Sequence, residues 1–314
     1  MNDAPLVSVV IPTYNRAHLI GQTIESVRNQ TFENFEIVVV DDGSTDKTEE
    51  VVCHYKDERI KYFRQPTNVG PSEAKNIGIL CSRGEYLALL DSDDLWLPEK
   101  LEQQIVILQK NTGSVWIYCD SAYFDDQSGR VTHLSSQRFH PYEGYIPHRL
   151  IMQTIMHTPT VVVKRSIIEQ IGPFIGNAFE DWRMWLHIAA SWPVLYIDRP
   201  LVLVRIHSNS ISKNSDNMEI FKCRVNAIQA AVEFSPEVYS KWENRALSRV
   251  YRQTGIMFTE HNSMKEARSM FFQAIRYYPL NLKPYFWAIL TYLGSSYYSS
   301  IYSIYRRLKQ LLLH

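Results

Sequence analysis

Glu85-Tyr86-Leu87-Ala88-Leu89-Leu90-Asp91-Ser92-Asp93-Asp94 runs a stretch that is apolar on both faces into a turn carrying three carboxylates. A strand that buries both sides belongs to a sheet covered by helices, which is the habit of parallel strands. Carboxylates crowded into one turn repel each other. The cluster becomes tolerable when a divalent cation neutralises it and a nucleoside diphosphate supplies further oxygens. The competing reading is a solvated acidic turn, or the cap of a helix that begins near Pro98. The place of the cluster, directly after a buried strand, favours the cation.

Outward from this turn the same grammar repeats. Leu6 to Ile11 is a strand run stopped by Pro12, and Ala17 to Asn29 then has helical spacing. Phe35 to Val40 leads into Asp41-Asp42-Gly43-Ser44 and a helix from Thr45 to Tyr55, Ile60 to Phe63 is a third strand, and Pro71 to Cys81 is helical. The fold class is α/β, a Rossmann-like and mostly parallel sheet flanked by helices. In such open sheets the ligand lies beyond the carboxyl ends of the strands. Pro12-Thr13-Tyr14-Asn15, Asp41-Asp42-Gly43-Ser44 and Asp91-Ser92-Asp93-Asp94 each follow a strand, so all three are expected at one edge.

Beyond Asp94, Val115 to Cys119 and Thr160 to Val163 read as strands, Glu180 to Ser191 as a helix, and Val194 to Ile206 as two short strands around Arg199-Pro200. From Asn217 onward only helical periodicity remains. The expected organisation is a catalytic domain over 1–214 and an all-helical C-terminal extension over 215–314. Within the latter, Tyr251, Gly255, Phe258, Ala267, Phe271, Ala274 and Pro279 have the spacing of one tetratricopeptide-like hairpin.

The chain carries 33 basic and 33 acidic residues, so no overall field points to nucleic acid. From Asn262 to His314 there are 7 basic residues against 1 acidic, which suits an anionic partner for that end. Four scattered cysteines without a CxxC pair read as reduced thiols. The first residues lack the pattern of a secretory signal, and there is no run of ~20 apolar residues for a membrane span. A cytoplasmic protein is expected. Pro-Thr-Tyr-Asn after the first strand is not a GxGxxG turn, and no glycine-rich basic loop follows it, which argues against dinucleotide dehydrogenases and nucleotidylyltransferases.

Val7-Ser8-Val9-Val10-Ile11-Pro12-Thr13-Tyr14-Asn15-Arg16, Ile37-Val38-Val39-Val40-Asp41-Asp42-Gly43-Ser44-Thr45-Asp46, Asn68-Val69-Gly70, Ala74-Lys75-Asn76-Ile77-Gly78 and Gly84 to Asp94 stand in the order and spacing of family 2 glycosyltransferases. The resemblance covers residues 6 to 210. It implies a GT-A fold and an inverting transfer from a nucleoside-diphosphate sugar, with UDP the expected nucleotide, to a hydroxyl acceptor in polysaccharide or glycoconjugate biosynthesis. It further implies a divalent metal, Mn2+ or Mg2+. By position, Pro12 and Tyr14 would lie against the base, Asp42 would accept a hydrogen bond from it, and Asp41 would brace the loop. Asn68 and Gly70 would let the backbone pass close to the donor. Lys75 stands where the family more often has arginine and would offer charge to the diphosphate, without a bidentate fork. Asp91 would approach the ribose or sugar and Asp93 would hold the metal. Asp94 is either a second metal-side carboxylate or a structural partner.

Glu180-Asp181-Trp182 resembles the family's acidic pair, which implies Asp181 as the general base. The plainer reading is that both acids cap a helix and favour its dipole. His207 stands where relatives place a histidine beside the metal, and His157-Thr158-Pro159-Thr160 is a candidate lining of the acceptor pocket. The alternative to an active enzyme is an inactive relative that binds nucleotide-sugar and acts as an interaction module; intact Asp93 and Asp181 weigh against it.

Eight of the 19 tyrosines fall between Tyr277 and Tyr305. Ile301, Ile304, Tyr305, Leu308, Leu311 and Leu312 share a helical face beside Arg306, Arg307 and Lys309. That pattern suits peripheral contact with the inner face of a membrane, a homodimer contact, or packing on the domain. With membrane contact, a lipid-linked saccharide becomes the favoured acceptor.

Overall fold

Val7–Thr13 (β1) and Phe35–Asp41 (β2) are buried almost throughout, and they pair in parallel in register, Val7 opposite Phe35 and Thr13 opposite Asp41. The computed structural model describes residues 4–207, 216–292, 298 and 301–304. Packing divides the chain into two units, Met1–Ile146 with Thr154–Ser210, and Pro147–Gln153 with Ile211–His314.

In the first unit Ile20–Arg28 (α1) follows β1, Thr48–Cys53 (α2) follows β2, Ile60–Arg64 is β3, Pro71–Cys81 is α3, and Tyr86–Leu89 is β4. Then come Leu95–Trp96 (β5), Lys100–Lys110 (α4), Trp116–Asp125 (β6), Val131–Leu134 (β7) and the short helix Ser135–Arg138 (α5). After Pro147–Leu150 (α6), which belongs to the other unit, a 3-10 turn Thr158–Thr160 leads into Val161–Lys164 (β8), Arg165–Ile171 (α7), Glu180–Ala189 (α8) and Leu195–Ile206 (β9).

The sheet order is β3-β2-β1-β4-β8-β6-β9-β5, with β7 beside β6. The first four strands are parallel, as read from their alternation with helices. The second half is mixed: β8 runs antiparallel to β4 and β6, β9 parallel to β6, and β5 antiparallel to β9. Where two short strands are expected over Val194 to Ile206, Leu195–Ile206 is one long strand. It passes Arg199-Pro200 by register shifts opposite Cys119 and Asp120, because proline cannot donate to the ladder and sits at a bulge. The two-residue β5 carries too little pattern to be read from sequence.

Helix α1 buries Ile20, Thr23, Ile24 and Val27, the i, i+3, i+4, i+7 stripe of a helix laid on a sheet. Helix α3 lies closer still. A Cβ at Gly78 would stand 2.3 Å from Val10 Cγ1 and 3.1 Å from Val40 Cγ2, so glycine lets α3 rest directly on β1 and β2.

The second unit comprises Asn217–Phe234 (α9), Pro236–Glu260 (α10), Met264–Tyr277 (α11), Leu282–Leu290 (α12) and α6. Asp216 caps α9 by accepting from Met218 N at 3.2 Å, and Pro236 opens α10 where its missing N–H costs nothing. Helices α10 and α11 pack against each other around Gly255. A Cβ there would lie 2.6 Å from the Phe271 ring, and Ala267, Phe271 and Ala274 are buried. No helix among the described residues is long and apolar enough to cross a membrane. The apolar face that continues from Tyr305 to Leu312 lies outside the described residues.

Gly78→Ala sets two effects against each other. Helix propensity favours alanine by about 1 kcal/mol, whereas forcing a methyl into a packed contact costs roughly 1–3 kcal/mol. With a fully buried Val10 side chain in the way, the expected outcome in urea unfolding is a net loss of stability. A variant as stable as the wild type would show that α3 can lift from the sheet at no cost.

Candidate active site

The loops after β1 and β2 are knitted by hydrogen bonds. Asp42 N donates to Thr13 O (2.8 Å), Asn15 N to Ser44 Oγ (2.9 Å), Thr45 N to Asn15 Oδ1 (2.8 Å) and Arg16 N to Thr48 Oγ1 (3.0 Å). Tyr14 stands out from them, 42% exposed, and Pro12 is half-buried. Asp41 is buried and braces its own loop, accepting from Ser44 N at 2.7 Å and from the Tyr62 hydroxyl at 2.5 Å. Asp42 reaches the third segment: its two carboxylate oxygens accept from Val69 N (2.7 Å) and Gly70 N (2.9 Å). Burial raises the Asp42 carboxyl above its ordinary value despite those N–H groups. Gly70 has φ 94° and Gly43 φ 76°, and a Cβ on Gly43 would stand 2.9 Å from the Thr67 carbonyl carbon. Asn68 is exposed beside them. Asp42, Asn68 and Gly70 are thus one constellation.

The acidic turn is held from below. Thr23 Oγ1 on α1 donates to the carbonyls of Ser92 and Asp94, each at 3.0 Å. Arg205 on β9 donates from its backbone N to Asp94 Oδ1 (2.9 Å), from Nε to Asp93 O (2.7 Å) and from Nη2 to Gln22 (2.9 Å), and its Nη1 pairs with Asp126. The Asp94 carboxylate is therefore turned inward on the backbone of β9. Burial, with Asp91 and Asp93 nearby, raises it well above the usual carboxylate range. Asp93 faces the other way. Its Oδ2 lies 3.0 Å from His207 Nε2 and 3.6 Å from Arg16 Nε, so the β1 loop, the acidic turn and the end of β9 meet at one carboxylate. The alternation of β9 puts residues 205 and 207 on one side, which is the signal by which Arg205 could have been found beside His207. Arg16 was visible only as part of a motif.

A third group lies deeper. Lys75 Nζ on α3 is 2.6 Å from Glu180 Oε1 on α8, and the lysine is 4% exposed. Burial alone would lower the ammonium's pKa, but the carboxylates of Glu180, Asp91 and Asp181 outweigh it and hold it above the ordinary lysine value. Asp181 accepts from Thr158 Oγ1 (3.1 Å) and Trp182 N (2.7 Å). Its carboxyl is pushed up to about 6 by burial and by Glu180, against the pull of Lys75. The turn bearing Thr158 is pinned by Trp96 Nε1 donating to Pro159 O (3.0 Å) and Gln104 Nε2 to Thr160 O (2.8 Å). His157 meets the Tyr123 hydroxyl at 2.8 Å. Phe179, just before the acidic pair, has φ 58°, a left-handed conformation that strains a bulky residue by about 1–3 kcal/mol.

Among the described residues no three His, Cys, Asp or Glu side chains gather as a ligand set for a metal ion. Asp93 and His207 do converge, an oxygen and a nitrogen on one point. An oxygen and a nitrogen of these kinds are donor types that divalent cations accept.

Asp91 is buried and pushed up to about 7 by that burial and by Asp93, Glu180 and Asp181, with Lys75 opposing. In the unfolded chain this group loses its proton near the model value of 3.8. Between that pH and about 7 the folded form therefore holds a proton that the unfolded form has released, and stability falls as pH rises through this window. Asp91→Asn removes the dependence. The variant should gain melting temperature relative to wild type at pH 7.5 and gain little at pH 4; equal shifts at both would contradict the burial argument.

The family model for Glycosyl transferase family 2 matches residues 8–172. An uncharacterized glycosyltransferase of Rickettsia bellii is 36% identical over 215 residues, 67% of this chain and 30% of its own length. Against that relative, and against two more from Rickettsia felis and Rickettsia conorii at 33% each, the chain spans about a third of their length. An Escherichia coli protein named UDP-Glc:alpha-D-GlcNAc-diphosphoundecaprenol beta-1,3-glucosyltransferase WfgD is 31% identical, over 68% of this chain and 81% of that one. Among solved structures, S. aureus TarS 1-349 in complex with UDP-GlcNAc has a TM-score of 0.68 at 18% identity, over 96% of this chain and 91% of the other. The mannosyltransferase PcManGT from Pyrobaculum calidifontis, in complex with GDP-Man and Mn2+, has a TM-score of 0.57 at 17% identity, over 98% and 87%. The fold is of the GT-A kind, and with a family match that extends over more than half its length this chain belongs to glycosyl transferase family 2.

Proposed function

We propose that the chain moves a sugar, with inversion, from a UDP-sugar to a hydroxyl of a lipid-linked saccharide. The observation that carries the reading is the meeting of three groups beyond the carboxyl ends of the strands. These are the Tyr14–Asp42–Gly70 loops, the Asp93–His207 pair, and the buried Asp181. The relative whose name specifies UDP-Glc and a diphosphoundecaprenol-linked acceptor supports the choice of donor and acceptor, as does the likeness to a protein crystallised with UDP-GlcNAc.

In this reading the base rests on the Tyr14 ring and against Pro12, and the Asn68–Gly70 backbone lets the ribose and diphosphate lie close. Asp91 faces the ribose or sugar. Asp93 and His207 would hold a divalent cation, which neutralises charge on the diphosphate when bound. Asp94 is assigned to bracing the turn, since its oxygen is taken by Arg205 N. Asp181 accepts the proton of the acceptor hydroxyl while that oxygen bonds to the anomeric carbon. The bond from that carbon to the diphosphate oxygen breaks with its electron pair, and the nucleoside diphosphate leaves. A carboxyl raised toward neutrality is a better base than an ordinary one and is still ionised at pH 7.

The test is sugar release and transfer from a panel of UDP-, GDP- and dTDP-sugars to a polyprenyl-diphosphate saccharide, with Mn2+, Mg2+ or chelator. Turnover is expected with one UDP-sugar and a metal. Asp181→Asn should lower kcat by about 10²–10⁴-fold while leaving donor binding in place, and Asp93→Ala should abolish the metal-dependent part of that binding. Tight donor binding by the wild type without any turnover would instead favour the non-catalytic binding relative.

A further inference from the structure

The resemblance implies that Lys75 offers its charge to the donor's diphosphate. Its surroundings are unlike those of a phosphate-gripping lysine. The side chain is almost wholly removed from water, its ammonium is 2.6 Å from Glu180 Oε1, and it lies 5.8 Å from the centre of the Phe174 ring. The loop that carries Phe174 is tied to the same helix, with Asn76 Nδ2 donating to Phe174 O at 3.0 Å and Phe174 N to Asn76 Oδ1 at 2.9 Å. Reaching a diphosphate would mean breaking a buried ion pair and leaving Glu180 uncompensated, which is strongly unfavourable. Glu180 and Asp181 are consecutive in the first turn of α8. A cation that fixes the first therefore fixes the rotation of the helix that presents the second.

We propose that Lys75 is a positioning residue for the acidic pair: locked onto Glu180, it orients Asp181 and keeps that carboxylate ionised, and it does not grip the donor. The proposal rests on the reading of Asp181 as the general base. The groups that act on Asp181 are Glu180 beside it, Lys75 from α3, Asp91 from the end of β4, the Thr158 hydroxyl and the Trp182 N–H. Burial and Glu180 favour the protonated acid, and Lys75 is the cation among these groups that opposes them. A general base works in its ionised form, so its activity falls as pH drops through its pKa. Raising that pKa moves the acid limb of the profile to higher pH.

The experiment measures kcat/KM against pH together with UDP affinity for wild type, Lys75→Met, Lys75→Arg, Glu180→Gln and Asp181→Asn. For Lys75→Met the acid limb should move up by about one pH unit or more, giving about a tenfold loss on the acid side that recovers at alkaline pH. UDP affinity should stay within about threefold, which also reports that the variant is folded. Lys75→Arg keeps the charge and should restore the limb. Glu180→Gln removes the repelling carboxylate while keeping the ammonium, so its limb should move the opposite way, to lower pH. This variant carries the test if Lys75→Met does not fold. A tenfold or greater loss of UDP affinity in Lys75→Met with an unmoved limb would return Lys75 to the diphosphate and overturn the proposal. Unmoved limbs in both Lys75→Met and Glu180→Gln would do the same. Asp181→Asn should stay about a hundredfold or more below wild type across the range. Activity near that of wild type in this variant would instead sink the assignment of the base, whatever Lys75 does.

Discussion

Five carboxylates, those of Asp91, Asp93, Asp94, Glu180 and Asp181, are drawn to one edge of the sheet, and the site exists only because their mutual repulsion is managed. Each has a different counterweight. Asp94 takes a backbone N–H from β9, Asp93 faces Arg16 and His207, Glu180 takes the Lys75 ammonium, and Asp181 takes a hydroxyl and an N–H. Asp91 is held above the usual carboxylate range by burial, with the Lys75 charge opposing. A group left in this state is a receptor for positive charge, or a store of strain that a ligand can release. The sheet supplies the rigidity that keeps the groups from drifting apart, since β1, β2 and β4 are buried on both faces.

A second layer keeps the acidic pair still. The turn that bears Thr158 hangs from α4 and β5 through Gln104 and the Trp96 indole. Behind it Lys100 is fully buried, with its ammonium 3.9 Å above the Trp96 ring and 2.7 Å from Gln104 Oε1. A desolvated ammonium over an indole is among the stronger cation–π contacts, yet burial still pulls Lys100 down to about 8. A costly group is retained here at the back of the site, where it holds the amide that holds the turn.

Much of this was legible in the sequence because it depends on local pattern. The apolar runs before Pro12, Asp41 and Asp91 mark buried parallel strands, and Pro71 to Cys81 is helical with the bounds its residues suggest. What stayed hidden depends on pairing across long separations. The antiparallel half of the sheet, the brief β5 and the unbroken β9 follow from which strand finds which neighbour, and no periodicity states that. The same holds within the site. Arg205 looks like any charged residue in a strand until its four hydrogen bonds are seen together, and nothing near Lys75 in the sequence announces its pairing with Glu180, 105 residues later. The resemblance named the motifs; the partners of each motif residue came from the fold.

The helical unit is discontinuous along the chain. Pro147–Gln153 belongs with the helices that begin at Asn217, although some sixty residues of the other unit intervene. His148 lies 5.9 Å from Trp242, and Gln153 pairs with Arg249. No single crossover in the coding sequence could therefore exchange this bundle without also exchanging part of the other unit. A recombinant that traded everything after residue 210 would inherit new long helices but keep the old α6. Inheritance in this lineage should show the short helix and the long ones changing in concert, as two halves of one cassette.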